Sequence, residues 1–365
     1  MLKLLYLSDC YVEASIFASQ VHSLCEHQSD FLEVNLLAHT HGAVTPSRHR
    51  YGLQLRRWVP NMSMPLIAAS VGAYYGLTGI VRGYDVAHCR GHVMSFVAIV
   101  ARAISRGRIK IVADIRGESA AEMAGGGSSA LRWLKQKSIR CMERVIFRNA
   151  DHICFVSEAM REHFCDMYTI APSKISIFPT LVNTLFFQKS AAQRMQKRAE
   201  LRLRDDQVLY VYSGGVSRWQ NVDKIIARFS SIAQDNDKFM LLVLTTAPDV
   251  VRGMIADVGA NSERIVVRKV SYNEVGAYLN AADAGLLIRD DSAINRVASP
   301  TKANEYFACG LPVIDDLQGI GETDFSAWTR SVTTFKSLDD VAAGHRDIYE
   351  FLCLNNSNYD PKVEL

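Results

Sequence analysis

The sequence predicts an α/β protein built as two doubly wound domains, each a parallel sheet covered by helices on both faces. Two observations carry this. Short apolar runs alternate with longer helical patterns along most of the chain, and the runs are continuously apolar, as strands buried on both faces must be. The rhythm breaks once, after ISIFPT (175–180), at the polar and basic stretch QKSAAQRMQKRAELRLRDD (188–206), and then restarts. The 365 residues suffice for two domains of ordinary size, each with its own core.

Taken in order, LKLLYLS (2–8) reads as the first buried strand, followed by a helix from about Ser15. FLEVNLLA (31–38), YDVAHCR (84–90), IKIVADI (109–115), DHICFVS (151–157) and ISIFPT (175–180) continue the first sheet. VLYVYSG (208–214), FMLLVLT (239–245), RIVVRKV (264–270), AGLLIR (284–289) and LPVIDD (311–316) form the second. The expected division is 1–183, 184–342 and a last segment, 343–365. In such sheets ligands bind beyond the carboxyl ends of the strands, so a site between the domains is the default expectation.

Composition narrows the function classes. The chain is 48% hydrophobic and 22% charged, and its net charge of +3 is too small to mark a nucleic-acid binder. Eight cysteines are scattered without a C-x-x-C pair, which suits buried thiols in a reducing compartment rather than zinc or disulfides. The N-terminal MLKLLYLSDC lacks the length and cleavage site of a signal peptide, and MSFVAIVARAI (94–104) is too short to span a bilayer. The expected location is the cytoplasm.

SPTKANEYFACGLPVI (299–314) carries the densest chemistry. With Ser299 as N-cap and Pro300 as first helical residue, the proline's missing N–H would have had no helical partner anyway. The amides of Thr301 and Lys302 and the Lys302 ammonium then form an anion site at the helix start. Ser299, Lys302 and Glu305 are spaced by three and share a stripe, so a diphosphate at the tip leaves a sugar hydroxyl within reach of the Glu305 carboxylate. A capped helix whose Lys and Glu pair in solvent is the competing reading.

This segment resembles the donor-binding segment of GT-B glycosyltransferases of the retaining family 4. VSEAMREHF (156–164), FPTLVNTLFF (178–187), VYSGGVSRWQNVDKII (211–226), YNEVGAYLNAADAGLLIRD (272–290) and DCYVEASIFASQVHSL (9–24) are similar to that family's successive landmarks, in order. The resemblance implies two Rossmann-like domains facing each other across a cleft. It also implies a nucleotide sugar held mainly by the second domain, an acceptor held mainly by the first, and a final helix (AGHRDIYEFLCL, 343–354) crossing back to the first. It places Gly214, Gly215, Ser299, Pro300, Thr301, Lys302 and Glu305 around the donor; Ser15 and Ile16, at the expected start of the first helix, can offer amides to its phosphate. Two positions depart from the pattern: Val297 stands where the family often has the first of two glutamates, and Gln220 where it has a lysine. Arg218 is then the one cation of the loop 213–221, and Arg218, Lys302 and Glu305 are the expected catalytic groups.

Other candidates lie in the first domain. Asp114, Arg116 and Glu118, just past a strand end, suit acceptor hydroxyls or the β-phosphate, or form an ion-paired loop. Arg90 and His92 follow the preceding strand; a lone histidine there contacts substrate or is simply hydrogen-bonded. AGGGSS (124–129) lacks the spacing of a P-loop or dinucleotide fingerprint and reads as a mobile loop over the acceptor. The basic helix LRWLKQKSIRCMERVIFRNA (131–150) suits contact with an anionic membrane surface or a solvated helix face. The expectation is a retaining sugar transferase acting on a saccharide or lipid-linked acceptor in bacterial surface polysaccharide assembly. It needs no metal and no cofactor beyond its nucleotide-sugar donor. An epimerase or hydrolase of the same fold and a non-catalytic nucleotide-sugar module are the alternatives.

Overall fold

The computed structural model describes residues 1–12, 15–40, 50–57, 62–122, 129–234, 236–328 and 337–354. The chain divides into two units, one comprising 1–179, 296–299 and 338–365, the other 180–295 and 300–337. The division falls at 179/180 rather than 183, and the last segment joins the first unit from 338 rather than 343. The chain also returns briefly to the first unit at 296–299, immediately before the segment that carries Lys302 and Glu305.

The first unit holds β1 (Lys3–Tyr11), β2 (Glu33–Thr40), β3 (Gly52–Arg57), β4 (Val86–Arg90), β5 (Lys110–Ile115), β6 (His152–Phe155) and β7 (Ile175–Ile177). They form a parallel sheet of order β3-β2-β1-β4-β5-β6-β7. The edge strand β3 escapes the apolar-run criterion because GLQLRR carries only two apolar side chains besides its glycine. One sheet face presents Leu5, Leu7, Ala87, Cys89, Ile111, Ala113, Ile153 and Phe155 to the helices His92–Ser105 and Ser129–Asn149, making the apolar core. The other face mixes apolar with polar side chains: Tyr6, His88, Arg90, Asp114 and His152 are all buried there beside Leu4, Val86, Val112 and Cys154. The final helix, Leu338–Leu354, closes it: the Tyr349 hydroxyl lies 2.7 Å from His88 Nδ1, and the His345 ring 4.7 Å from that of His88.

The second unit holds β8 (Val208–Ser213), β9 (Phe239–Leu244), β10 (Ile265–Arg268), β11 (Ala284–Leu286) and β12 (Val313–Ile314), parallel in the order β10-β9-β8-β11-β12. Apolar clusters cover both faces, one around Tyr210, Ile225, Phe229 and Val243, the other around Leu209, Val211, Leu242, Leu279 and Tyr306. Among the described residues no helix is long and apolar enough to cross a membrane.

Candidate donor site

The helix Thr301–Ala308 is anchored by its middle. Tyr306 lies over Gly285 of β11, so closely that a Cβ at 285 would stand 2.4 Å from its ring, and its hydroxyl accepts the Ser213 N–H at 2.9 Å. Asn304 on another side donates to the Thr180 carbonyl at 2.9 Å. These contacts set the helix start beside the carboxyl end of β8. The cap itself differs from the sequence expectation: Pro300 is the N-cap, extended at φ −74° and ψ 110°, and Thr301 is the first helical residue. Pro300 has no side-chain oxygen to accept a helical N–H, and the helix start has no side-chain cap.

Lys302, four residues before Tyr306, shares its face of the helix and is buried with it. Its ammonium donates to Gln220 Oε1 at 2.6 Å and to the Tyr212 hydroxyl at 3.0 Å, and sits 4.2 Å from the centre of the Tyr212 ring. The Tyr212 hydroxyl in turn donates to the Gly215 carbonyl at 2.5 Å. The turn after β8 must be glycine at 214: φ is +144°, and a Cβ would meet the Lys302 Nζ at 3.0 Å. A Cβ at Gly215 would meet nothing within 4 Å, so the turn opens onto free space.

Glu305 is 7% exposed, and among the described residues its carboxylate has no hydrogen bond or ion pair. Burial pushes its pKa up to about 8, with Lys302 opposing. Burial, with the nearby Arg289 charge, pushes Lys302 down to about 7, with Glu305 opposing. Two groups of opposite sign thus lie on one buried helix face without forming a salt bridge. A self-contained pair would bond to itself; here Lys302 bonds to neutral groups, and burial disfavours the charged form of both residues.

The other donor-side candidates fall at different depths. Arg218 is exposed on a short 3-10 turn, Arg218–Gln220, near Asp290. Ser15 opens the short helix Ser15–Phe17. Val297 is a core residue of the first unit, 3% exposed, and its carbonyl accepts the Ser157 hydroxyl at 2.7 Å. A glutamate there would lose that packing, which accounts for the apolar residue at this position. Sequence reasoning missed Tyr212 and the half-buried Arg289. Arg289 lies three residues beyond β11, the strand beside β8.

Of the first-unit candidates, Arg90, His92, Asp114 and Glu118 are buried and Arg116 is half-buried, and they have partners within the unit. Asp114, 1% exposed, lies among Arg116 Nη1 at 3.3 Å, His88 Nε2 at 3.5 Å and Arg90 Nη1 at 3.7 Å. Despite burial, the Arg116 charge foremost, with the His88 contact and the Arg90 charge, holds its carboxyl well below the usual range. Arg116 also donates to the Phe178 carbonyl at 3.1 Å and to Gln20 at 3.3 Å. Glu118 belongs to a second cluster, paired with Arg140 and 3.5 Å from His163. His92 is hydrogen-bonded to the Ser119 hydroxyl at 3.0 Å and lies 3.4 Å from Glu143; burial lowers its pKa. Of the glycine-rich segment 124–129, residues 124–128 lie outside the described residues, and Ser129 opens the helix Ser129–Asn149.

Residues 18–185 match the family model Glycosyltransferase Family 4. Among curated proteins, none matches the chain in sequence. Among solved structures, sucrose-phosphate synthase from Thermosynechococcus elongatus superposes with a TM-score of 0.68 at 15% identity, covering 96% of this chain and 90% of its own. WaaG, a glycosyltransferase involved in lipopolysaccharide biosynthesis, gives 0.66 at 13% identity, covering 97% and 96%. Anabaena HepE, solved in complex with UDP-glucose, gives 0.63 at 14% identity, covering 86% and 80%.

Proposed function

We propose that this chain, which has the GT-B fold of those glycosyltransferases, moves a sugar from a nucleoside-diphosphate sugar to a hydroxyl of a saccharide or lipid-linked acceptor, with retention of anomeric configuration. The observation that carries the reading is the buried and mutually unpaired Lys302 and Glu305 beside the open turn at Gly214 and Gly215. A nucleoside diphosphate supplies what each lacks. Its phosphate oxygens pair with the Lys302 ammonium and the amides of Thr301 and Lys302, and a ribose hydroxyl donates to Glu305.

Negative charge grows on the diphosphate as the glycosidic bond breaks, and fixed positive groups stabilise that charge. The acceptor hydroxyl attacks from the same face as the leaving group, which takes its proton. No residue of the chain forms a covalent bond to the sugar in this scheme, and side-chain cations and amides do the work a metal would do. The acceptor is assigned to the first unit, and the setting to cytoplasmic assembly of a surface polysaccharide. Exposed Trp133 and Leu134 beside Lys137 on the helix Ser129–Asn149 support docking of that unit on an anionic membrane.

The test is acceptor-dependent transfer with a panel of nucleotide sugars, run in excess chelator, with the product's anomeric configuration read by NMR. Retained configuration and undiminished transfer in chelator are expected. A new sugar nucleotide formed without acceptor, free sugar alone, or an inverted product contradicts the reading. Loss of activity restored by manganese or magnesium contradicts its metal independence.

A further inference from the structure

We infer that Arg289 is the second cation of the donor site, pairing with Lys302 across the diphosphate and taking the place that Gln220 leaves uncharged. The inference deepens the reading above and rests on it.

Three observations support it. First, residue 220 is already committed: Gln220 Oε1 accepts from the Lys302 ammonium at 2.6 Å, so this position steers one cation and adds none. Second, Arg289 lies three residues past the end of β11, and β11 pairs with β8, the strand that runs into the glycine turn at Gly214 and Gly215. Third, Arg289 is poorly satisfied. Its Nε is buried with no hydrogen-bond partner, and among the described residues its guanidinium makes no ion pair. The adjacent Asp290 is 2.7 Å from Lys224 and is used there.

Arg289 lies near enough to Lys302 for the two charges to act on each other. The Arg289 charge helps hold the Lys302 pKa down, and Arg289 is itself lowered by burial. Two cations kept close repel one another, and an anion able to bridge them relieves that repulsion. A diphosphate has the two charged groups needed for both, and the planar guanidinium can bind a phosphate through two parallel hydrogen bonds. A monophosphate engages only one cation fully. Arg289 thus selects for diphosphate over monophosphate.

The experiment is calorimetric titration of UDP, GDP, ADP and dTDP, each alongside its monophosphate, into the wild-type chain, Arg289→Gln and Arg289→Lys. Arg289→Gln is expected to weaken the preferred diphosphate by about 10- to 100-fold, the scale of a lost charged hydrogen bond, and its monophosphate by less than about 3-fold. Arg289→Lys is expected to keep more of the diphosphate affinity than Arg289→Gln, and it also serves as the folded comparison if the glutamine variant is unstable. Unchanged diphosphate affinity in Arg289→Gln, equal losses for both nucleotides, or a lysine variant no better than a stable glutamine variant overturns the assignment of Arg289 and leaves the proposed function standing. A wild-type chain that binds none of the four diphosphates overturns both.

Discussion

Both units bury charged side chains beside the carboxyl ends of their strands, but they treat them oppositely. In the first, Asp114 sits within 3.7 Å of Arg90, Arg116 and His88, and Glu118 is paired with Arg140. In the second, Lys302 is held only by the neutral groups Gln220 and Tyr212, and Glu305 by nothing among the described residues. Burial alone did not separate the two clusters; partnership did. A charge satisfied within the fold works for stability, whereas one left unsatisfied stores a cost that a ligand can relieve.

The largest expected effect of breaking this contrast is on the first unit. Asp114→Ala leaves Arg90 and Arg116 buried around a missing carboxylate and is expected to cost about 3–5 kcal/mol in urea unfolding. A loss below about 1 kcal/mol would instead place Asp114 outside the structural network, on the scale of an exposed pair. In the second unit the same kind of substitution is expected to spare the fold and strike function. Lys302→Ala is expected to lower kcat by about two orders of magnitude with saturating substrates. Glu305→Ala is expected to weaken the preferred nucleotide by about 1.5–3 kcal/mol, the scale of a charge-assisted hydrogen bond.

Lys302 loses its charge as pH rises through about 7, and Glu305 gains its charge as pH rises through about 8. Binding that needs both charges is therefore bell-shaped, strongest between these values, and falls by up to tenfold per pH unit on either side. Glu305→Gln removes the acid limb and leaves affinity falling with rising pH; Lys302→Met removes the alkaline limb. A flat profile in the wild type contradicts the need for both charges. Stability runs with its own sign. The folded Glu305 pKa is raised from 4.5 to about 8, so its contribution is intact below 4.5 and is lost as pH rises to about 8. At pH 9, Glu305→Gln is accordingly expected to melt higher than wild type by about 2–4 °C, equivalent to roughly 1 kcal/mol. The smallest effect belongs to Arg218. It is exposed, so Arg218→Ala is expected to change kcat by less than about fivefold, on the scale of a solvated surface charge. A hundredfold loss would put Arg218 on the diphosphate, the role the sequence reading expects of it.

How much of this the sequence carried depends on range. Eleven strands were legible as continuous apolar runs; β3 was not, because GLQLRR at the sheet edge needs little apolar surface. Lys302 and Glu305 were legible because one short helix carries both. Their lack of mutual pairing was not, since it depends on Gln220 and Tyr212, more than 80 residues away in sequence. Arg289 was hidden for the same reason: its neighbours come from strand pairing. Val297 stood out as a departure, and its role in the first unit's core emerged only when the chain was seen to return there at 296–299. The pairing of Asp114 was half legible, because Arg116 is close in sequence whereas Arg90 and His88 reach it across the sheet.

The most direct test of the central claim, that the unsatisfied charges of the second unit hold a nucleotide-sugar donor, is one calorimetric series. UDP-, GDP-, ADP- and dTDP-linked sugars are titrated into the wild-type chain, Glu305→Gln and Lys302→Met at pH 7.5. At least one donor is expected to bind the wild type and to lose about tenfold or more in each variant, while the melting temperatures stay within a few degrees. A donor that binds all three equally, or no donor binding the wild type, contradicts it.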